Sequence, residues 1–220
     1  IGADPREIVW TSGATESNNL ALRGAAQFYK GKGKHLITWK TEHKAVLDTM
    51  RELERQGFEV SYLDVQEDGL VDLEVFKAAI RPETKVVGLT WVHSSTGIRL
   101  PIREISAMLR GLPQPPILVV DGVHGLGSAD ETIATMGADY FCAGTNKWIF
   151  GPRGTGLVWA NADNWARLRP LIPNFSEFES YTAWTEDRDP AGPNNAARMT
   201  PGGFHAFEHQ WALAAAFQMH

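Results

Sequence analysis

The sequence predicts an α/β fold in which a mostly parallel sheet carries helices on both faces, giving three layers. Three observations predict it. Strand patterns alternate with helix patterns along the chain, as in parallel sheets built from helical crossovers. The 220 residues are 43% hydrophobic and 21% charged, enough to bury one core of this kind. Two apolar strands also end next to reactive side chains, at the edge where such sheets bind ligands.

The individual elements follow from apolar spacing, caps and turn residues. Strands are predicted at residues 7–11, 35–39, 58–65, 85–92 and 117–121, in the apolar run from Ala138 that precedes Lys147, and at 157–160. Helices are predicted from about Ser17; from Lys44 to a stop at Gly57, with Val46, Met50 and Leu53 on one face; from a cap at Asp72 to a stop at Pro82, with Leu73, Phe76 and Ile80 on one face; around Ile102, Ile105 and Leu109; and from Phe207 to His220.

Asp121 and Lys147 are the two reactive side chains at strand ends. Asp121 closes one strand, and Lys147 follows the next strand along the chain. Because one crossover separates the two strands, we expect both side chains at the same edge of the sheet. Taken singly, such an aspartate more often caps a helix and such a lysine is usually solvated.

The surroundings of Lys147 favour a functional interpretation. It lies between an apolar strand and the Gly/Pro turn at 148–156, where we expect poor solvation and a more nucleophilic amine. An acid that faces a pyridinium nitrogen and a lysine that forms a Schiff base are the protein groups required by pyridoxal phosphate chemistry. The pair therefore predicts a pyridoxal 5'-phosphate site.

Four longer motifs resemble one superfamily of enzymes. Residues 11–19 (TSGATESNN) and 41–48 (TEHKAVLD) resemble cysteine desulfurases. Residues 119–125 (VVDGVHG) and 200–209 (TPGGFHAFEH) resemble the branch that contains isopenicillin N epimerase-like proteins and cysteine-conjugate sulfoxide lyases. Over nearly its whole length the chain is thus similar to the class V aminotransferase superfamily of fold-type I pyridoxal phosphate enzymes. The resemblance implies that residues 1–220 are the large cofactor-binding domain, without an amino-terminal arm and a small carboxy-terminal domain.

The turn at residues 12–15 is the predicted site of the cofactor phosphate. It lies between a strand and a helix start, where free backbone N–H groups and the helix dipole favour an anion. The alternative is an ordinary helix capped by Ser12 or Thr15.

The resemblance places further side chains against the cofactor. His43 lies where desulfurase-like enzymes hold an imidazole over the pyridine ring, for stacking and proton transfer, although a lone histidine often caps a helix. His124 lies where desulfurase-like enzymes have a glutamine that bonds the phenolic oxygen of the cofactor. Ser94 lies where they have an asparagine, and Asn146 where they have a histidine. Each replacement keeps a hydrogen-bonding group. The predicted cofactor-binding residues are Gly13, Ala14, Thr15, His43, Ser94, Asp121, His124, Gly144, Asn146 and Lys147; Lys147, Asp121 and His43 are the predicted catalytic residues.

The implied reaction occurs at Cα or Cβ of an amino acid, with Lys147 or His43 removing the Cα proton. We expect carbon–sulfur cleavage of cysteine or a cysteine conjugate; epimerisation and transamination stay open. Desulfuration needs a mobile thiol, and Cys142, the single cysteine, is expected to be a small core residue in a strand. Direct elimination is therefore favoured over persulfide transfer unless a further domain supplies a cysteine.

Composition excludes several other classes of protein. A net charge of −5 argues against nucleic acid as a partner. The apolar runs are only strand-sized, no signal peptide opens the chain, and one cysteine rules out an internal disulfide framework, so we expect a soluble cytoplasmic enzyme. The segment 200–203 resembles one that reaches a neighbouring subunit's phosphate site, which implies a homodimer.

Two alternatives from other functional classes remain open. His205, Glu208 and His209 match the H-x-x-E-H pattern of zinc peptidases, although five-residue patterns arise easily and no metal site is expected. The chain could also keep the fold without catalysis and serve assembly. The acidic stretch 177–189 is interpreted as a mobile surface segment.

Overall fold

A single seven-stranded sheet organises the chain in a computed structural model, which describes residues 2–172, 174, 177–201 and 205–220. The strands are β1 (Ile8–Thr11), β2 (His35–Trp39), β3 (Glu59–Leu63), β4 (Thr84–Thr90), β5 (Ile117–Asp121), β6 (Tyr140–Gly144) and β7 (Gly156–Trp159). Their order across the sheet is β1-β7-β6-β5-β4-β2-β3. The strands from β6 to β3 pair in parallel, and β7 pairs antiparallel with both β6 and β1. The prediction of a mostly parallel sheet is confirmed.

The helices lie between the strands and on both faces of the sheet. They are α1 (Ala14–Tyr29), α2 (Lys44–Arg55), α3 (Leu73–Ala79), α4 (Ile102–Arg110), α5 (Ala162–Trp165), α6 (Phe178–Thr185), α7 (Ala196–Met199) and α8 (Phe207–Gln218). The predicted cap at Asp72 is confirmed, because its carboxylate accepts hydrogen bonds from the N–H groups of Glu74 and Val75.

Alternate residues of the central strands face opposite helix layers, as the two-residue period of a strand requires. In β5, Ile117 and Val119 belong to the core beneath α1 and α2, whereas Leu118 and Val120 belong to the core beneath α3 and α4. All five residues of β5 are buried. The three-layer prediction is therefore confirmed.

The structure corrects some predicted boundaries. α1 begins at Ala14 rather than near Ser17, because a glycine and not a side chain forms its N-cap. The stretch 177–189 lies at the surface as expected, but it also contains the helix α6, which Glu177 caps by accepting the N–H groups of Glu179 and Ser180. Glu179 also pairs with Arg188 at 2.6 Å, so local acidic residues stabilise this turn of chain rather than repel one another.

None of the helices in the described ranges combines the length and the apolar character that crossing a membrane requires.

Candidate active site

A cavity of about 560 Å³ opens at the carboxyl ends of the central strands. It lies where the strand order changes direction. β3 lies on one side of β2, and the chain then crosses back to place β4 and β5 on the other side. Open parallel sheets bind ligands in the crevice at this place. Nine of the ten predicted cofactor-binding residues line the cavity: Gly13, Ala14, Thr15, His43, Ser94, Asp121, His124, Asn146 and Lys147.

The start of α1 forms one wall of the cavity. Gly13 is its N-cap with φ 152° and ψ 177°, and no side chain caps the helix there. This backbone region is essentially restricted to glycine. The alternative of an ordinary helix capped by Ser12 or Thr15 is wrong, and the exposed start of the helix faces the cavity with its positive dipole end.

Gly144 is the predicted site residue that does not line the cavity. It ends β6 beneath the start of α1, where an added Cβ would lie 3.2 Å from Asn146 Oδ1 and 3.4 Å from the Ala14 nitrogen. Gly156 of β7 is closer still, since its Cβ would lie 2.6 Å from Gly13 Cα. These glycines let the helix start approach the sheet, so Gly144 supports the site by packing.

Asp121 lies at the floor of the cavity and is only 6% exposed. Its Oδ2 accepts a hydrogen bond from Asn18 Nδ2 at 2.8 Å, and its Oδ1 accepts one from the Val123 N–H at 3.1 Å. Burial raises the pKa of Asp121, and the two donors oppose that rise. A cationic ring nitrogen in contact with the carboxylate would lower the pKa further, because an opposite charge favours the ionised form.

His43 is both a helix cap and a cavity residue. Its Nδ1 accepts the Ala45 N–H at 3.1 Å at the start of α2. A nitrogen that accepts a hydrogen bond carries no proton, so in the neutral imidazole the proton lies on Nε2. Nε2 therefore offers a donor, and the imidazole is exposed at the cavity.

His124 presents a similar arrangement three residues after Asp121. Its Nδ1 accepts a hydrogen bond from Trp148 Nε1 at 3.3 Å, which again leaves the proton of the neutral ring on Nε2. Desolvation, followed by the charge of Lys147, lowers the pKa of His124. The ring is thus held as a neutral donor, the role that a glutamine amide would fill.

Lys147 reaches the same cavity from the turn that follows β6. The turn is anchored by hydrogen bonds from the Phe150 N–H to the Lys147 carbonyl at 3.1 Å and from the Gly151 N–H to the Thr145 carbonyl at 2.9 Å. The expectation that Lys147 is poorly solvated is wrong: Lys147 and Asn146 are exposed. The turn holds them at the rim of the cavity, whereas Asp121 lies on its floor.

The sequence interpretation missed three polar residues of the cavity region. Asn18 orients Asp121 from α1, Glu42 is buried beside His43, and His93 lines the wall next to Ser94. Desolvation lowers the pKa of His93. Glu42 and Asn18 lie within the motifs quoted above, so motif membership was a signal, but their burial depends on partners distant in sequence.

The zinc interpretation of His205, Glu208 and His209 finds no support. α8 begins at Phe207, so the two histidines do not share a helix, and His205 Nε2 bonds the Pro201 carbonyl at 2.8 Å. Within the described residues no group of three or more His, Cys, Asp or Glu side chains is arranged for a metal ion. Gly202 and Gly203 of the same motif lie outside the described residues.

A sequence profile of the family described as aminotransferase class-V matches residues 1–189 of the chain. The chain belongs to this family. Its members use pyridoxal 5'-phosphate, and the fold with Asp121 and Lys147 at one cavity is consistent with that chemistry.

Curated relatives of this class V chain are named cysteine desulfurase IscS. The protein from Dechloromonas aromatica is 51% identical over 171 residues, covering 76% of this chain and 41% of the relative. The protein from Haemophilus influenzae strain PittGG is 46% identical over 172 residues, covering 78% of this chain and 42% of the relative. The chain therefore spans about two fifths of the length of the curated relatives it matches.

Solved structures confirm the fold of the class V chain. DndA from Streptomyces lividans superposes with a TM-score of 0.80 at 28% identity, covering 99% of this chain and 56% of that chain. A structure described as SspA in complex with cysteine gives a TM-score of 0.82 at 28% identity, with the same coverage. A cystine C–S lyase is similar in fold at 21% identity, with a TM-score of 0.82.

The residues present fit a pyridoxal phosphate. The uncapped start of α1 suits the phosphate, Asp121 with its two donors suits a cationic ring nitrogen, and His124 Nε2 suits the phenolic oxygen. The cavity volume of about 560 Å³ falls within the roughly 300–1,000 Å³ typical of cofactor sites.

Proposed function

We propose that this chain belongs to a pyridoxal phosphate-dependent enzyme that cleaves a carbon–sulfur bond of cysteine or a cysteine conjugate. The observation that carries the proposal is the single cavity that brings together Lys147, Asp121 and the start of α1. The relatives named cysteine desulfurase support the substrate class, and the match to two fifths of their length makes the activity of the whole protein part of the proposal.

The cofactor, when bound, withdraws electrons from the substrate carbons. Lys147 Nζ would hold the cofactor, and as a free amine it would accept the proton from Cα of the substrate. Lys147 lies on an exposed turn at the cavity rim, which suits an amine that has to serve both the cofactor and the substrate Cα. Asp121 is fixed on the cavity floor by Asn18 and the Val123 N–H, and there it would be the anion that keeps a ring nitrogen protonated.

His43 is a stacking and donor residue in this proposal, rather than the base. Its Nδ1 already accepts the Ala45 N–H, so Nε2 carries the proton and has no lone pair with which to accept one from Cα. Of the two candidate bases, Lys147 therefore removes the Cα proton. The aromatic face of His43 positions the ring from one side.

Cys142 does not supply a nucleophilic thiol. It is fully buried in β6, its Sγ lies 3.4 Å from the Ser17 carbonyl, and burial raises the pKa of its thiol. The expectation of a small core residue is confirmed. Transfer of sulfur to a protein cysteine would therefore need a thiol from outside residues 1–220, and direct elimination is the proposal unless a further domain supplies one.

The test is an assay of the full-length protein, loaded with cofactor, against cysteine and S-substituted cysteines. We expect release of sulfide or the thiol together with pyruvate from the active substrate. The variant Lys147→Ala is the control, because any product that it still forms arises without the proposed catalytic lysine. Racemised substrate without a sulfur product would contradict the proposal and favour the epimerase alternative, to which the motif at 200–209 is similar.

Homodimeric assembly and a cytoplasmic location are also part of the proposal. The assembly rests on the resemblance of residues 200–203 to a segment that reaches a neighbouring subunit. The helix that follows, α8, supports it, since Phe207 and Trp211 stack on each other and are 47% and 76% exposed.

A further inference from the structure

Glu42 is a buried carboxyl group at the cavity that the reaction outlined above does not use. It is 5% exposed and immediately precedes His43. Its Oε1 accepts the Thr90 N–H at 2.9 Å, and this bond joins the turn after β2 to the end of β4. Its Oε2 is fully buried and has no hydrogen-bond partner.

Asp121 provides a comparison within the same site. Thr90, which bonds Glu42, pairs with Asp121 across β4 and β5. Asp121 has a donor on each carboxylate oxygen, whereas Glu42 has a donor on only one. A buried carboxylate oxygen without a donor is costly, and the cost is much larger for the charged form than for the neutral acid.

The electrostatics point in the same direction. Burial, together with the negative charge of Asp121, raises the pKa of Glu42 to about 8, although the backbone N–H and the side chain of Thr90 oppose this rise. Two nearby buried carboxyl groups do not readily ionise together, so the one with more donors takes the charge. The other titratable groups that line the cavity are Glu16 of α1, His43 and Lys44 at the start of α2, His93 after β4, His124 after β5 and Lys147 after β6.

We propose that Glu42 is a positioning residue held as a neutral carboxylic acid, which ties His43 to β4 and leaves Asp121 as the single anionic carboxyl group on the cavity floor. Asn18 Oδ1, on the residue that orients Asp121, is also buried without a donor, so a proton on Glu42 Oε2 adds a donor to a region that lacks one. The protonation state of Glu42 does not depend on the proposed function. Only the benefit of a single anionic carboxyl group, Asp121, rests on that function.

The protonation state is testable in full-length protein freed of cofactor, independently of any activity. Infrared difference spectra between the wild type and Glu42→Gln at pH 6.5 should show one carboxylic acid C=O band that the variant lacks. The band should fade as the pH rises through about 8. Asp121→Asn is the matched control and should retain the band. A spectrum in which Glu42→Gln removes only a carboxylate band would overturn the proposal.

Folding stability gives a second readout with a defined sign. The pKa of Glu42 is about 8 in the folded chain against an ordinary value of 4.5, so the folded state binds the proton more tightly than the unfolded chain does. The contribution of Glu42 to the free energy of unfolding is fully present below pH 4.5, and it is lost as the pH rises through about 8. The melting temperature of the wild type should therefore fall relative to that of Glu42→Gln over this interval. A constant difference would contradict the proposal.

The positioning role is tested by comparing variants that differ in what they keep. Glu42→Gln keeps the acceptor for Thr90 and a donor in place of the acid proton, so turnover and cofactor affinity should stay within about threefold of the wild type. Glu42→Ala removes the acceptor of the Thr90 N–H and should displace His43, so kcat should fall by a larger factor than KM changes. Loss of activity in Glu42→Gln equal to that in Glu42→Ala would overturn the positioning role, even if the protein proves to be a cysteine lyase.

Discussion

At the scale of single residues, hydrogen bonds fix the orientation of Asp121 and the proton positions of His43 and His124. Burial raises the pKa of Asp121, and the donors to its two oxygens oppose that rise. His43 and His124 are fixed as Nε2 donors because other groups occupy their Nδ1 atoms. The sequence alone predicts Asp121, His43 and His124 from motifs. It does not predict these tautomers, because Trp148 and the Ala45 N–H become partners only in the folded turn.

Replacing Asp121 with asparagine tests the role of the charge. Asp121→Asn should still accept the Val123 N–H and fit the same volume, but it cannot hold a ring nitrogen protonated. We expect some cofactor to bind and kcat to fall by about 10²-fold or more, the scale of losing one electrostatic partner of the reacting group. Steady-state kinetics with quantified cofactor content provide the measurement. Near-normal turnover at full occupancy would remove Asp121 from the mechanism.

At the scale of elements, the start of α1 depends on a backbone conformation that the sequence pattern does not reveal. The alternation of strands and helices is predictable because it follows from apolar spacing, and the predicted bounds of β2 and β5 match the structure. The start of α1 is not predictable in this way, because Gly13 takes the place of a side-chain cap. The sequence pattern also misses the helix α6, because its cap and ion pairs lie within an acidic stretch.

Gly13→Ala tests whether this conformation binds the cofactor phosphate. A Cβ on Gly13 meets no atom within 4 Å, but φ is 152°, so the change acts through the backbone alone. It should destabilise the fold by about 1–3 kcal/mol and weaken cofactor affinity. Fluorescence titration of the apoprotein and thermal melting are the measurements.

Two further glycines supply matched controls for this prediction. Gly57→Ala also has open space and a positive φ of 85°, yet it lies away from the cavity, so it should lower stability without changing cofactor affinity. Gly31→Ala, with open space and no positive φ, should change neither. Equal affinity in the Gly13 and Gly57 variants would show that the start of α1 does not hold the phosphate.

At the scale of the whole molecule, the three layers place every predicted site element at one edge of the sheet. The motif spacing predicts this convergence because parallel crossovers return each strand's carboxyl end to the same edge. The exposure of Lys147 is not predictable from the apolar residues around it, because the turn after β6 projects it outward to the rim. What the cavity lacks within the described residues is a reactive thiol, since Cys142 is buried.

Assembly is tested by light scattering on the full-length protein. We expect a homodimer, and Trp211→Glu should shift it towards monomer, because burying a new charge at an interface is costly. Phe178→Glu is the control, since Phe178 is 82% exposed on α6, outside the segment similar to the subunit-contacting region. A monomeric wild type that binds cofactor stoichiometrically would contradict the assembly proposed here.

The central claim, that Lys147 carries the cofactor at a cavity floored by Asp121, is tested most directly by reducing the loaded full-length protein with borohydride and sequencing the modified peptide by mass spectrometry. We predict that the reduced adduct lies on Lys147 and that Lys147→Ala loses both the adduct and the visible absorbance of bound cofactor. An adduct on another lysine, such as Lys44, which also lines the cavity, would contradict the account.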